Sequence, residues 1–254
     1  MNRQEAVASF LAARSKRPPW TGVPEAHRPA TVEEGYRLQA MVHEALGGPI
    51  GYKVGSTSAA GQRAFGLNEP VYAGLFEDDR ASSLRDGLGS GLVAPSVECE
   101  IAFVLGDDVD PAAASPERLR ESIASCHAAC EIIDNRYGDP LSVGVPSLLV
   151  DDFFHARFVL GPANPAWREF DLARLGAEVR LDGTSHRGNA ADVLSATEAL
   201  RWLAEKLGRS GRGLKAGDIV LTGAIVPPIP VAAPPASLSL RIEGFEPLIL
   251  GPSA

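Results

Sequence analysis

Two acids interrupt an otherwise apolar segment, Pro95-Ser-Val-Glu-Cys-Glu-Ile-Ala-Phe-Val-Leu105, and this constrains the chain more than any other feature. Val97, Cys99, Ile101, Phe103 and Leu105 recur at period two, the pattern of a strand with one face on a core. Strand side chains alternate faces, so that register turns Glu98 and Glu100 together to the opposite side. Residues two apart on a strand are roughly 7 Å apart at Cα. Two half-buried carboxylates at this spacing repel each other unless something positive lies between them. A hard divalent ion with oxygen ligands, Mg²⁺ or Mn²⁺, is the natural candidate. The alternative is an edge strand whose outer face carries two solvated acids.

With 254 residues the chain can bury a substantial core. A net charge of −8 and an isoelectric point near 5.2 argue against a nucleic-acid partner, whose phosphates need a basic surface. The stretch Met1–Phe10 lacks a signal-peptide core, and no later run approaches the ~20 apolar residues of a membrane span. No membrane partner and a cytoplasmic location are therefore expected. The three cysteines fall in expected strand or helix interiors, which suits a reducing compartment.

Residues 1–50 read as an N-terminal helical region packed on a body of residues 51–254. Ala6, Val7, Phe10 and Leu11 recur at helical spacing, Pro18-Pro19 stops the run, and Thr31-Val-Glu-Glu34 opens a second helix to about Leu46 in capping-box form. In the body, short strands are expected near 157–161, 177–182, 218–222 and 237–243. Ser115-Pro116 predicts a helix with the apolar stripe Leu119, Ile123, Cys126 and Cys130, and Ser195-Ala-Thr-Glu198 another that buries Leu200, Leu203 and Leu207.

A third acid is needed to hold a metal firmly. Glu131, at an expected helix-to-strand transition, precedes the apolar pair Ile132-Ile133, where a carboxylate normally requires a partner. Asp134 and Arg136 read as an ion pair supporting it. In Gly51-Tyr-Lys-Val-Gly55 the glycines flanking Lys53 permit close approach of a ligand, and a hydroxyl cluster ending at Ser58 follows. Gly217-Asp-Ile-Val-Leu-Thr-Gly223 ends an apolar strand in Thr222 and Gly223, where hydroxyl and N–H groups can meet a ligand. Cys126-His-Ala-Ala-Cys130 lacks a second thiol pair and reads as core, not as a zinc site. No serine elbow, P-loop or dinucleotide fingerprint is present.

Taken in order, Gly51–Gly55, Gly74-Leu75 with its acidic sequel, Glu98-Cys-Glu100-Ile-Ala, Glu131-Ile-Ile-Asp134, Val150-Asp-Asp152, Trp202-Leu-Ala204 and Gly217–Gly223 resemble the 2-keto-4-pentenoate hydratase branch of the fumarylacetoacetate hydrolase superfamily. The resemblance spans nearly the whole chain. It implies an α+β fold, a mixed β-sandwich or β-roll with N-terminal and peripheral helices. It also implies Mg²⁺ or Mn²⁺ held by three carboxylates, which fall on Glu98, Glu100 and Glu131, and an active-site lysine, which falls on Lys53. The activity implied is that of a metal-dependent lyase adding water to a short 2-oxo or 2-hydroxy-dienoic acid, with Asp152 or His155 as the base. Ser58, Phe153, Thr222 and Gly223 are expected to touch substrate. Alternatives are a decarboxylase of a vinylogous 2-oxo acid, and a non-catalytic partner subunit. C–C hydrolysis is disfavoured for want of a His–Glu pair to activate water. A homo-oligomer is expected, with a complex with a partner decarboxylase or hydratase as the other assembly.

The chain departs from the family pattern at Gly55-Ser-Thr-Ser58, at Leu194-Ser-Ala196 and most at Val150-Asp-Asp-Phe-Phe-His-Ala156, where two aromatic rings replace small and polar residues. An altered pocket wall is expected there.

Overall fold

Two helices, α1 (Arg3–Ser15) and α2 (Val32–Ala45), precede β1 (Gly51–Gly55), α3 (Ala59–Ala64), β2 (Val71–Leu75), α4 (Leu84–Gly87) and β3 (Pro95–Leu105). There follow α5 (Pro116–Ser122), β4 (Ile123–Asp134), α6 (Pro140–Val143), α7 (Val145–Val150), β5 (His155–Ala163), β6 (Gly176–Leu181) and β7 (Thr184–Asn189). The chain continues through α8 (Ala196–Gly208), β8 (Ile219–Pro230), β9 (Leu238–Ile242) and β10 (Leu248–Leu250). This computed structural model describes residues 2–15, 22–110, 115–232 and 235–251. The expected stop at Pro18-Pro19 lies outside them.

The strands form two sheets, a six-stranded one in the order β2-β1-β8-β3-β4-β5 and a four-stranded one in the order β10-β9-β6-β7. The pairing of β1 with β8 is parallel and every other pairing is antiparallel. Val97, Cys99, Ile101 and Phe103 from β3 share one buried cluster with Val179 of β6 and Leu240 of β9, so the main core lies between the sheets. The period-two reading of β3 therefore holds, and Glu98 and Glu100 lie on its other face.

At the N-terminus, Phe10 and Ala13 of α1 pack against Leu38 and Val42 of α2 and against Val150. Thr31 accepts from the Glu34 amide at the start of α2, as its capping motif predicts. Ser195 caps α8 in the same way.

Two sequence expectations need correction. The helix opened by Ser115 ends at Ser122, and Cys126 to Asp134 belong to β4, the strand between β3 and β5. Small residues such as Ala124, Ser125, Ala128 and Ala129 carry little strand signal of their own, and hydrogen bonding on both edges decides their state. The expected strand end at Thr222-Gly223 is instead a β-bulge inside the long strand β8. Ala102 pairs with Leu221 and Glu100 with Ala224, leaving Thr222 and Gly223 together opposite Ile101.

Candidate metal centre

The ladder between β3 and β4 sets Glu98 directly opposite Glu131, and Glu100 follows Glu98 on the same face. One carboxylate oxygen from each of the three lies within 4.8 Å of the others. Lys53, from the middle of β1, places its Nζ 3.2 Å from Glu131 Oε1 and donates to the Phe153 carbonyl at 3.0 Å. His155, the first residue of β5, sets its Nδ1 2.8 Å from the same Glu131 oxygen. The bulge in β8 completes the arrangement: the Gly223 amide donates to Glu100 Oε2 at 2.8 Å, and the Thr222 hydroxyl donates to the Ile101 carbonyl at 2.8 Å. Only glycine fits this position, because its φ is +103° and an added Cβ would lie 2.5 Å from the Thr57 side chain.

The charges at this centre do not balance. Three carboxylates face one lysine, and each is affected differently. Burial alone would raise Glu131, but the Lys53 ammonium and the His155 hydrogen bond outweigh it and pull its pKa down to about 2. Burial and the charge of Glu131 push Glu98 up to about 8 and Glu100 well above the usual carboxylate range. Lys53 is itself buried, yet the acids, Glu131 foremost, hold its pKa above the ordinary value. The protein's own groups thus neutralise one acid and leave two whose ionisation a further cation would favour. Three convergent oxygen ligands of this kind fit a hard divalent ion.

The ionised Glu131 can only accept, so His155 donates to it from Nδ1, and in the neutral tautomer this bond selects, the lone pair is on Nε2. This Nε2 is buried without a hydrogen-bond partner among the described residues, 3.8 Å from Asp79 Oδ2. A His–Glu pair, discounted from the sequence, is therefore present, though its glutamate belongs to the carboxylate triad. Asp79 was signalled in the sequence only by the acidic run after Leu75.

Asp152, Phe153 and Phe154 all adopt left-handed backbone, with φ of 57°, 44° and 69°. Such conformations cost roughly 1–2 kcal/mol per non-glycine residue, so surrounding bonds must hold the turn. Asp152, expected as a base, supplies them. Its Oδ1 accepts from His43 at 2.7 Å and from the Gly74 amide at 2.8 Å, and its Oδ2 pairs with Arg14. Burial would raise its pKa, but His43 and Arg14 outweigh it and hold the carboxylate well below the usual range. An acid so committed is a poor proton acceptor, which favours His155, the other expected base.

The supposed Asp134–Arg136 pair is also absent. Asp134 accepts from the Val93 and Ala94 amides, while Arg136 pairs with Asp151, which Tyr137 also engages. Ser58 caps α3 by accepting from Gly61. The Phe153 ring is buried beside Lys53, whose Nζ lies 5.6 Å from the ring centre, and it packs on Phe65 and Phe154. The structure thus brings Lys53, His155, Phe153, Gly223 and the three glutamates together, while Ser58 is engaged in a local cap and Asp152 in bonds to the N-terminal helices and β2.

A mixed six-stranded sheet carrying this centre, packed on an antiparallel four-stranded one, has the fold of the fumarylacetoacetate hydrolase superfamily. The 2-keto-4-pentenoate hydratase of Paraburkholderia phymatum is 32% identical over 251 residues, covering 96% of this chain and 95% of its own. That of Burkholderia vietnamiensis is 35% identical over 203 residues, covering 77% and 75%. The chain belongs to the 2-keto-4-pentenoate hydratase family. Among solved structures, 4-oxalocrotonate decarboxylase from Pseudomonas putida G7, complexed with magnesium and adipate, matches with a TM-score of 0.85 at 24% identity, over 99% of this chain and 98% of that one. No family model matches the chain.

Proposed function

We propose that this protein is a metal-dependent hydratase that adds water to a short 2-hydroxy-2,4-dienoic acid. The observation that carries the reading is the joint presence of the carboxylate triad, Lys53 and an oriented His155 in a chain whose curated relatives are hydratases. Glu98, Glu100 and Glu131 would hold the ion, Mg²⁺ or Mn²⁺, which when bound supplies Lewis-acid polarisation of the substrate's carboxylate and 2-oxygen.

Lys53 carries a fixed positive charge beside that site, where it stabilises negative charge developing on the 2-oxygen. Ketonisation moves the enol proton to C5 and leaves a conjugated 3-enoate. Water then attacks C4, its proton passing to the lone pair of His155 Nε2 while C3 gains a proton, so one water is added across the C3=C4 bond that ketonisation left. Tautomer and aim of His155 both follow from its bond to Glu131. The Phe153 ring covers the space beside Lys53 and keeps bulk water from it.

The same reading includes a cytoplasmic homo-oligomer, or a complex with a partner decarboxylase, which sedimentation of the purified chain with and without that enzyme separates. No helix of the described residues is long and apolar enough to cross a membrane. The test of function is incubation with 2-hydroxypenta-2,4-dienoate and Mg²⁺ or Mn²⁺, following loss of the dienol absorbance and identifying the product by NMR. A 4-hydroxy-2-oxo acid is expected. Release of CO₂ from a vinylogous 2-oxo acid without hydration would make the chain a decarboxylase, and no turnover despite bound metal would make it a non-catalytic partner.

A further inference from the structure

We propose that Asp152 is a positioning residue, a latch by which the N-terminal helices hold the left-handed turn that aims Lys53 and His155. The proposal rests on the hydratase reading for the roles of those two groups. Its geometry stands apart from that reading.

The turn at 152–154 is the point where the site's two organic groups are set. Its Phe153 carbonyl accepts from Lys53 Nζ at 3.0 Å, and the next residue out of the turn, His155, reaches Glu131 at 2.8 Å. The turn makes internal backbone bonds, Phe153 to Leu148 and His155 to Asp152. Three successive left-handed residues without glycine are not held by such bonds alone. From outside the turn the Asp134 amide of β4 donates to the Phe154 carbonyl at 2.8 Å, and the Asp152 side chain, fully buried, is ligated from three separate elements: Arg14 from α1, His43 from α2 and the Gly74 amide from β2. Gln39 of α2 bonds the Leu149 carbonyl at 2.7 Å just before the turn. Arg14, Phe154 and His155 also line one cavity of about 20 Å³, so the arginine lies next to the histidine whose segment it restrains. A carboxylate at position 152 thus ties the helices to a carbonyl and an imidazole at the reacting centre, without itself facing substrate. Misplacing Lys53 by a fraction of an ångström affects the step where charge develops more than it affects ground-state binding.

The test compares wild type with Asp152→Asn, Arg14→Gln, the double variant and Lys53→Ala, at saturating Mg²⁺ and well below each melting temperature. Asp152→Asn is expected to lose roughly 10- to 100-fold in kcat with KM within about twofold. Arg14→Gln should show the same split to a smaller degree, and the double variant should be no worse than Asp152→Asn, because the two act as one unit. Hydrogen exchange should rise at amides 148–156 in both single variants, a readout independent of activity. Unchanged kcat, a rise in KM with kcat kept, or additive losses in the double variant would each overturn the proposal. Should Asp152→Asn fail to fold, Arg14→Gln decides alone, and wild-type kcat in that variant overturns it. Full activity in Lys53→Ala would instead refute the hydratase mechanism. Loss of activity in Lys53→Ala, with normal kcat in the other variants, would refute only the latch.

Discussion

Stripped of metal, the protein should lose stability as the pH rises through neutrality, because two of its three clustered acids resist ionisation. The pKa of Glu98 is raised from 4.5 to about 8, and that of Glu100 moves the same way. For an acid whose folded pKa is raised, the stabilisation is fully present below the unfolded value and lost as the pH climbs through the folded one. Glu131 acts in the opposite sense. Its folded pKa is lowered to about 2, so its contribution is complete above 4.5 and is lost only on acidification below that value. Lys53, with its pKa raised, stays charged across the whole interval. The window between about 4.5 and 8 therefore belongs to Glu98 and Glu100.

At 1.36 kcal/mol per pKa unit, the Glu98 shift corresponds to at most about 5 kcal/mol, and its partial solvent contact reduces this to roughly 2–4 kcal/mol. In a domain of this size about 1 kcal/mol moves Tm by ~2–4 °C, so Tm in EDTA should fall by about 5–15 °C between pH 5 and pH 8.5. Differential scanning calorimetry in matched buffers measures it. Glu98→Gln removes one resisting charge, so at pH 8 in EDTA the variant should melt above wild type. Adding Mg²⁺ should reverse that order: a hundredfold excess over Kd stabilises wild type by about 2.7 kcal/mol, and the variant binds less tightly. A flat wild-type Tm across this pH range in EDTA, or a Glu98→Gln variant that melts lower than wild type at pH 8 without metal, would refute the reasoning.

Gly223→Ala combines a φ of +103° with a Cβ 2.5 Å from Thr57, and should cost roughly 2–5 kcal/mol in urea unfolding; adding Thr57→Gly should recover the steric share only. In calorimetric titrations with Mn²⁺, Glu131→Gln should weaken binding, whereas Asp134→Asn should leave it unchanged, since Asp134 holds the Val93 and Ala94 amides. Phe153→Asn tolerates the left-handed backbone and removes the ring beside Lys53, so it should raise kcat/KM for a dicarboxylic dienoate relative to 2-hydroxypenta-2,4-dienoate; an unchanged ratio would place the ring outside the substrate's path.

The legible parts of this chain are those whose signal is local. Period-two alternation in β3 put two carboxylates on one face, and the capping motifs at Thr31 and Ser195 marked helix starts, because each pattern concerns residues within a turn or a strand of one another. Where the sequence misled, distant residues decided. Asp134 and Arg136 stand two apart with opposite charges, yet each has a partner from another segment: Asp134 the amides of Val93 and Ala94, and Arg136 the carboxylate of Asp151. Arg14 and His43 lie 138 and 109 residues from Asp152, and no spacing rule joins them.

The bulge in β8 connects the two kinds of evidence. Thr-Gly normally signals the end of a strand, since glycine weakens the ladder. Here β8 continues past it, because Val226 and Ile229 pair with Cys99 and Val97 on β3. Pro227 and Pro228, which cannot donate to a ladder, fall where the register shifts opposite Glu98, and Thr222-Gly223 falls where it shifts next to Glu100. All three register shifts between β3 and β8, at Val97/Cys99, Cys99/Glu100 and Glu100/Ala102, therefore lie beside the two acids of β3. A regular β8 would pair continuously along β3 and would have no spare amide to turn onto the Glu100 carboxylate. The local weaknesses of Gly223, read from sequence as the end of a strand, and of the proline pair are what allow a continuous sheet to present three carboxylates to one point.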